Sequence, residues 1–221
     1  MEPSEYEAWY HTARGKRIAG IEWNLLVGLL QPRAGNTLLD VGCGTGYFSR
    51  RFVETGLSVT ALDPNQAALA YAHQQGRGIN YLQANALSLP FSTNSFDYVS
   101  AITSLCFVEP PQQALQEMWR VARRGLLLGV LNKHSLLYWQ KRNSKSYAGA
   151  RWDRISTVKK WAENLAPEPT RISMSNGVLV AGSGKLSRLA ERTLGTLLPF
   201  GAFIAMYIEK SPANITDNGF Q

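Results

Sequence analysis

The sequence predicts an α/β fold, a doubly wound, mostly parallel seven-stranded sheet with helices on both faces. Three observations carry that expectation. Strand-sized apolar runs alternate with helix-sized segments over the first 132 residues. Several of those runs are apolar at every position rather than at every second one, as strands buried on both faces are. One run, "LLDVGCGTG" at 38–46, passes straight into glycines at alternate positions. A sheet of this kind places such sharp strand-to-helix turns at its ligand-binding edge.

In chain order, the first residues read as irregular, and "RIAGIEWNLLVGLL" then sets Ile18, Ile21, Leu25 and Leu29 on one helical face, ended by Pro32 and Gly35. "TLLDV" (37–41) is the first strand, and Phe48 and Phe52, four apart, mark a helix after it. "SVTALD" (58–63) is the second strand, with Pro64 opening the next helix where its missing N–H is harmless. "INYLQA" (79–84) and "FDYVSAI" (96–102) are the third and fourth. Pro110 and Pro111 start a helix carrying Leu115, Met118, Trp119 and Ala122 on one side, and "GLLLGVLN" (125–132) is the fifth strand. Later helices are expected near 134–142, 156–165 and 185–194, with strands near 171–175 and 201–208. The length, 221 residues with 45% hydrophobic and 18% charged, suits one domain with a full core.

Glycines at a strand end serve a tight turn and let a ligand approach the backbone, whose N–H groups such a turn can expose; a turn with no ligand is the plain alternative. The spacing narrows the ligand. Gly42, Gly44 and Gly46 are followed by Tyr47 where a dinucleotide fingerprint needs its third glycine, so NAD and FAD are disfavoured. No Gly-Lys-Ser/Thr ending supports a phosphate loop. Asp63, at the end of the second strand, can accept both hydroxyls of a ribose. Asn85, after the third, offers an amide to an adenine edge. Thr103, after the fourth, offers its carbonyl and hydroxyl to a cation. Each has a structural alternative as a cap or strand end, but their order at successive strand ends favours a nucleoside site.

These stretches resemble the class I S-adenosylmethionine-dependent methyltransferases, most closely the small-molecule branch that includes the ubiquinone/menaquinone biosynthesis enzymes. "LLDVGCGTG" is similar to that family's D-x-G-x-G-x-G motif, "ALDPN" to its acidic strand end, and "NALSLPFSTNSFDYV" and "EMWRVARRGLLLGVLN" to later blocks, over about residues 36–132. The resemblance implies a Rossmann-like fold and S-adenosylmethionine as cofactor, with S-adenosylhomocysteine as product. It implies that Asp40, Gly42, Cys43, Gly44 and Gly46 surround the methionine part. Asp63 would take the ribose, Pro64, Asn85 and Ala86 the adenine, and Thr103 the amino or sulfonium end. Many members carry Asp where this chain has Asn85. "YEAWYHTARGKRI" resembles a segment that closes over the cofactor, so residues 1–35 are expected to be a helical lid on a domain of 36–221, with a basic cap at about 133–170.

Methyl transfer from a sulfonium is an in-line displacement that needs alignment and water exclusion more than a fixed acid or base. Candidates near the methyl are Trp9, Tyr10, His11, His134 and Tyr138, with His11 the one to test as a base. Cys106 lacks the proline-cysteine context of covalent pyrimidine enzymes and reads as a buried thiol. The formal charge of +7 is concentrated at 133–161, where eight cations accompany one acid and five aromatics. That segment could bind RNA or an anionic membrane surface, or be a solvated face. Two cysteines make neither a disulfide scaffold nor a cysteine-based metal site, no metal is expected, and no run is long and apolar enough to span a membrane. With no leader-like start, a cytoplasmic location is expected. The leading function is methyl transfer to a small-molecule acceptor, with RNA methylation or non-catalytic cofactor binding as alternatives.

Overall fold

The first five strands are β1 (Thr37–Val41), β2 (Ser58–Asp63), β3 (Asn80–Gln83), β4 (Phe96–Ile102) and β5 (Ala122–Leu131); β6 (Arg171–Gly177) and β7 (Phe203–Glu209) follow. They form one sheet in the order β3-β2-β1-β4-β5-β7-β6 in the computed structural model, which describes residues 2–76, 78–142, 148–178 and 201–211. β1 to β5 run parallel, and β7 lies antiparallel between β5 and β6. β1 pairs with both β2 and β4, so the strand order reverses beside it. Such a switch point opens a crevice beyond the carboxyl ends of the strands.

The helices are α1 (Pro3–His11), α2 (Ala13–Leu30), α3 (Tyr47–Glu54), α4 (Gln66–Gln75), α5 (Pro111–Val121), α6 (Leu136–Lys141) and α7 (Ile155–Glu163). Side-chain alternation explains why the strands are apolar throughout. Leu38 packs in one core with Leu26 of α2 and Phe48 and Phe52 of α3, while its neighbour Leu39 packs in the other with Leu115, Met118 and Trp119 of α5 and Val158 of α7. Both faces are covered, so both alternating positions are mainly apolar.

The strand ranges read from the sequence match to within a few residues, the largest difference being β5, which starts at Ala122. The opening of the chain is not irregular: α1 and α2 fill residues 3–30. Periodicity misses α1 because its buried residues are Glu7 and Tyr10, held by polar and stacking contacts instead of an apolar stripe. Pro64 lies before α4, whose N-cap is Asn65, its Oδ1 accepting from the Ala67 and Ala68 N–H groups. The helix expected at 185–194 lies outside the described residues.

A polar clasp joins the ends of three strands far from the crevice. The Thr37 N–H and hydroxyl donate to Asp97 Oδ2 at 3.0 and 3.2 Å, and Arg123 and Arg124 reach Oδ1 at 2.6 and 2.9 Å. Burial pushes the Asp97 carboxyl up, but the Thr37 N–H and the two guanidiniums outweigh it and hold it down at about 2. A depressed folded-state value contributes stability above the unfolded value of 3.8 that is lost as pH falls through about 2. Asp97→Asn is expected to cost about 1–2 kcal/mol at pH 7, the half-exposed arginines being screened. Urea unfolding from pH 7 to 3 checks this: the gap to wild type should begin to close below pH 3.8, and equal stability at pH 7 would contradict it.

Candidate active site

The crevice is a groove of about 690 Å³ over the carboxyl ends of β1, β2 and β4. Gly42, Cys43, Gly44, Asp63, Pro64, Asn85, Ala86 and Thr103 all line it. Two residues expected there do not. Asp40 lies beneath the loop, 2% exposed, its carboxylate accepting from Ser49 Oγ at 2.6 Å and Ser100 Oγ at 2.8 Å. Burial pushes its carboxyl up against the opposing pull of those hydroxyls. Gly46 is the N-cap of α3, turned from the groove.

The three glycines share the left-handed backbone but not the reason for it. A Cβ on Gly42 would stand 2.4 Å from Ser104 Cβ, and one on Gly46 would stand 2.6 Å from the Tyr81 hydroxyl. Those two are required by the protein's own packing. A Cβ on Gly44 would meet nothing within 4 Å: it would project into open space. Nor does the loop offer the groove a row of amide donors. The Gly42 and Cys43 N–H groups both donate to the Leu62 carbonyl, that of Gly46 donates to the Cys43 carbonyl, and that of Gly44 donates to Asp63 Oδ2 at 2.8 Å. A phosphate would need those donors free. A ligand that is cationic at this end does not.

Asp63 therefore has two tasks. Its oxygens accept from the Gly44 and Asn65 N–H groups, 2.8 Å each, and its carboxylate still fronts the groove with lone pairs to spare for a diol. Asn85 Oδ1 accepts from the Leu87 N–H at 3.0 Å, which leaves its amide N–H₂ for a ring nitrogen. The residues present fit an adenosyl sulfonium: an acid for the ribose, an amide for the base, and a side-chain-free backbone at Gly44.

Thr103 has a left-handed φ of 52°, uncommon for a β-branched residue, held by its N–H on the Gly129 carbonyl at 2.7 Å. Strained backbone of this kind concentrates at functional sites. Here it turns the chain at the point where the groove meets a second cavity of about 320 Å³. Tyr6, Tyr10, Thr103 and Phe107 line both spaces. Trp9, Glu22, Leu137 and Phe203 are among the further walls of the second.

α1 covers this junction. Its Glu7, 4% exposed, accepts from Thr45 Oγ1 at 2.5 Å and pairs with Arg50, which also donates to the Thr45 carbonyl. Tyr10 stacks on Tyr47 with centroids 3.7 Å apart, and the Tyr6 and Tyr10 hydroxyls are 3.0 Å apart. The sequence-derived candidates divide: Trp9 and Tyr10 line the second cavity, whereas His11, His134 and Tyr138 line neither space. His11 and His134 are exposed. Both thiols are pushed up by burial, Cys106 to about 12, and Cys106 donates to the Thr103 carbonyl at 3.2 Å, as a buried structural thiol does. Within the basic segment, Arg151 binds Asp153 and Glu109, Lys159 pairs with Glu163, and Trp152 is buried. Trp139 is exposed with Arg142 over its ring, and Lys141 lines the second cavity.

Sequence reading passes over Glu22, Tyr6 and the Glu7–Arg50 pair. Glu22 had a signal: it lies four residues from both Ile18 and Leu26, a carboxylate on the buried face of α2.

Comparisons with known proteins agree with this geometry. A family described as "Methyltransferase domain" matches residues 39–129. A malonyl-[acyl-carrier protein] O-methyltransferase of Pectobacterium atrosepticum is 35% identical over 100 residues, 45% of this chain and 40% of that protein. The ubiquinone/menaquinone biosynthesis C-methyltransferase UbiE of Hahella chejuensis is 41% identical over 108 residues, 45% and 43% of the two chains. The chain thus spans about two fifths of the length of either relative. A solved Thermotoga maritima structure, described as a SAM-dependent methyltransferase and possible histamine N-methyltransferase, has a TM-score of 0.73 at 24% identity. It covers 94% of this chain and 95% of its own, and so shares the fold nearly end to end. Residues 39–129 of this chain thus match a methyltransferase domain, and the chain shares the fold of a solved SAM-dependent methyltransferase.

Proposed function

We propose that the chain transfers a methyl group from S-adenosylmethionine to a small-molecule acceptor held in the second cavity. The observation that carries this reading is the meeting of two spaces at Thr103, Tyr6 and Tyr10: a groove fitted to an adenosyl group, and a cavity of about 320 Å³ walled by aromatic and charged side chains. That volume suits a small molecule and lies at the lower end of ligand pockets. The named relatives act, by their descriptions, on malonyl-[acyl-carrier protein] and in ubiquinone/menaquinone biosynthesis.

When bound, the cofactor supplies a methyl group on a cationic sulfur, an already activated leaving group. The protein supplies position. Asp63 holds the ribose, Asn85 and Ala86 the adenine edge, and Gly44 leaves room for the methionine part. Asp40 fixes the loop from below through Ser49 and Ser100. Thr103 and the Tyr6–Tyr10 pair stand where nucleophile, methyl and sulfur must line up, and the aromatic walls keep water out. Within residues 1–35, α1 serves as the lid over the junction, while α2 packs on the sheet. Within the cap of about 133–170, Leu137 and Lys141 of α6 contribute walls to the acceptor cavity. Both cysteines are free, in keeping with a cytoplasmic location, and no helix among the described residues is long and apolar enough to cross a membrane.

Isotope-labelled methyl transfer from the cofactor into fractionated cell extract tests the reading. Label is expected in the small-metabolite fraction. Label confined to RNA would assign the basic segment as the acceptor site instead, and none in any fraction would leave a cofactor-binding protein without transfer.

A further inference from the structure

Glu22 is the one acid on the buried face of α2, and the second cavity is built around it. Its neighbours along that face are Ile18 and Leu26, 6% and 0% exposed. The groups sharing its cavity are Glu5, Tyr6, Trp9 and Tyr10 from α1, Arg14 from its own helix, and Lys141 from α6; β5 and β7 contribute only the apolar Leu131 and Phe203. Arg14 and Lys141 share the cavity with it, and neither forms an ion pair with it. Among the described residues Glu22 makes no hydrogen bond and no ion pair. An unpartnered, part-buried carboxyl facing a cavity is costly to keep for structure alone.

Its place in the cavity wall, within electrostatic reach of the two tyrosines at the junction, gives it a chemical use. Tyr6 and Tyr10 line both the groove and the cavity, and their hydroxyls are bonded to each other and feel the Glu22 charge. Burial raises both phenols, so they stay protonated at neutral pH and can orient a ligand but not remove its proton. The histidines singled out in the sequence face neither space. Burial pushes the Glu22 carboxyl up to about 8. A base with such a value works best near neutral pH.

Building on the methyltransferase reading, we propose that Glu22 is the general base of the transfer and that the acceptor is a small molecule whose nucleophile is a hydroxyl or amine bearing a proton. The oxygen or nitrogen lone pair forms the new bond to the methyl carbon. The carbon–sulfur bond breaks with its electron pair staying on sulfur, and the O–H or N–H proton passes to a Glu22 carboxylate oxygen. An acceptor reacting as a carboxylate would need no such base.

Two measurements decide it, and the first needs no acceptor. Thermal unfolding of wild type and Glu22→Gln is followed from pH 4 to pH 9. A carboxyl raised from 4.5 to about 8 destabilises the fold once ionised, and that loss grows as pH rises from 4.5 through 8. The variant is expected to match wild type at pH 4 and to melt higher at pH 9, with no change in S-adenosylhomocysteine affinity. A constant offset between the two across the range means an ordinary carboxyl and overturns the proposal. The second uses donor carrying a ¹³C-methyl group and the small-metabolite fraction of a cell extract, with the product's methyl resonance read by NMR. An O-methyl ether or N-methyl signal is expected, formed about 10²- to 10⁴-fold more slowly by Glu22→Gln. A methyl ester, thioether or C-methyl signal, or an unimpaired variant, overturns it. Loss of cofactor binding itself would instead strike the methyltransferase reading.

Discussion

Gly44→Ala is expected to weaken cofactor binding strongly while leaving the fold close to intact, and Gly42→Ala is expected to do nearly the opposite. The two positions look alike in sequence, both glycines with positive φ, 55° and 74°. An alanine at either carries the left-handed penalty of about 1–2 kcal/mol. At Gly44 that is most of the cost to the fold, because the added methyl group meets no protein atom within 4 Å. It would instead occupy the groove where the methionine part of the ligand must pass, and affinity should fall by roughly 10²-fold or more, a loss of about 3 kcal/mol. At Gly42 the methyl group would stand 2.4 Å from Ser104 Cβ. Ser104 cannot retreat freely, since its hydroxyl donates to the Val41 carbonyl at 2.6 Å. Overpacking adds about 1–3 kcal/mol, for a total of about 2–5 kcal/mol of stability. Urea unfolding and calorimetric titration with S-adenosylhomocysteine separate the two. Wild-type affinity in Gly44→Ala would move the ligand out of the groove.

Asp63→Ala is expected to lower affinity for the same ligand by about 3 kcal/mol, roughly 10²-fold. Part of that is the lost acceptor for the ribose hydroxyls. The rest is indirect: the same carboxylate accepts from the Gly44 and Asn65 N–H groups, so its removal frees the glycine loop and the start of α4 together. Asp63→Asn keeps one acceptor oxygen and should fall between the two. Calorimetric titration of all three proteins checks the order, and an unchanged affinity in Asp63→Ala would remove that residue from the site.

Much of this was legible in the residues because both cores demand apolar side chains at alternate positions. β1, β2 and β4 coincide with the runs read at 37–41, 58–63 and 96–102. What failed was whatever depends on partners distant in the chain. α1 is held by Glu7 on Thr45 and Arg50, 38 and 43 residues away, and no local pattern announces that. The glycine loop showed its sharpness but not its direction: its amide donors are spent on Leu62, Cys43 and Asp63, leaving shape in place of hydrogen bonds. Asp40, invited into the site by its motif, supports the loop from beneath it. Glu22 was visible as a misplaced charge among Ile18, Leu25 and Leu29, but its meaning required the cavity that Tyr10 and Phe203 complete.

A crystal soaked with S-adenosylhomocysteine tests the central claim most directly, that the bare backbone at Gly44 and the carboxylate of Asp63 frame an adenosyl site opening at Thr103. The expected density has the ribose hydroxyls on Asp63, the adenine edge at Asn85 and the sulfur facing Thr103 and the Tyr6–Tyr10 pair. Density elsewhere on the molecule, or a groove closed by the protein's own side chains at saturating ligand, would contradict it.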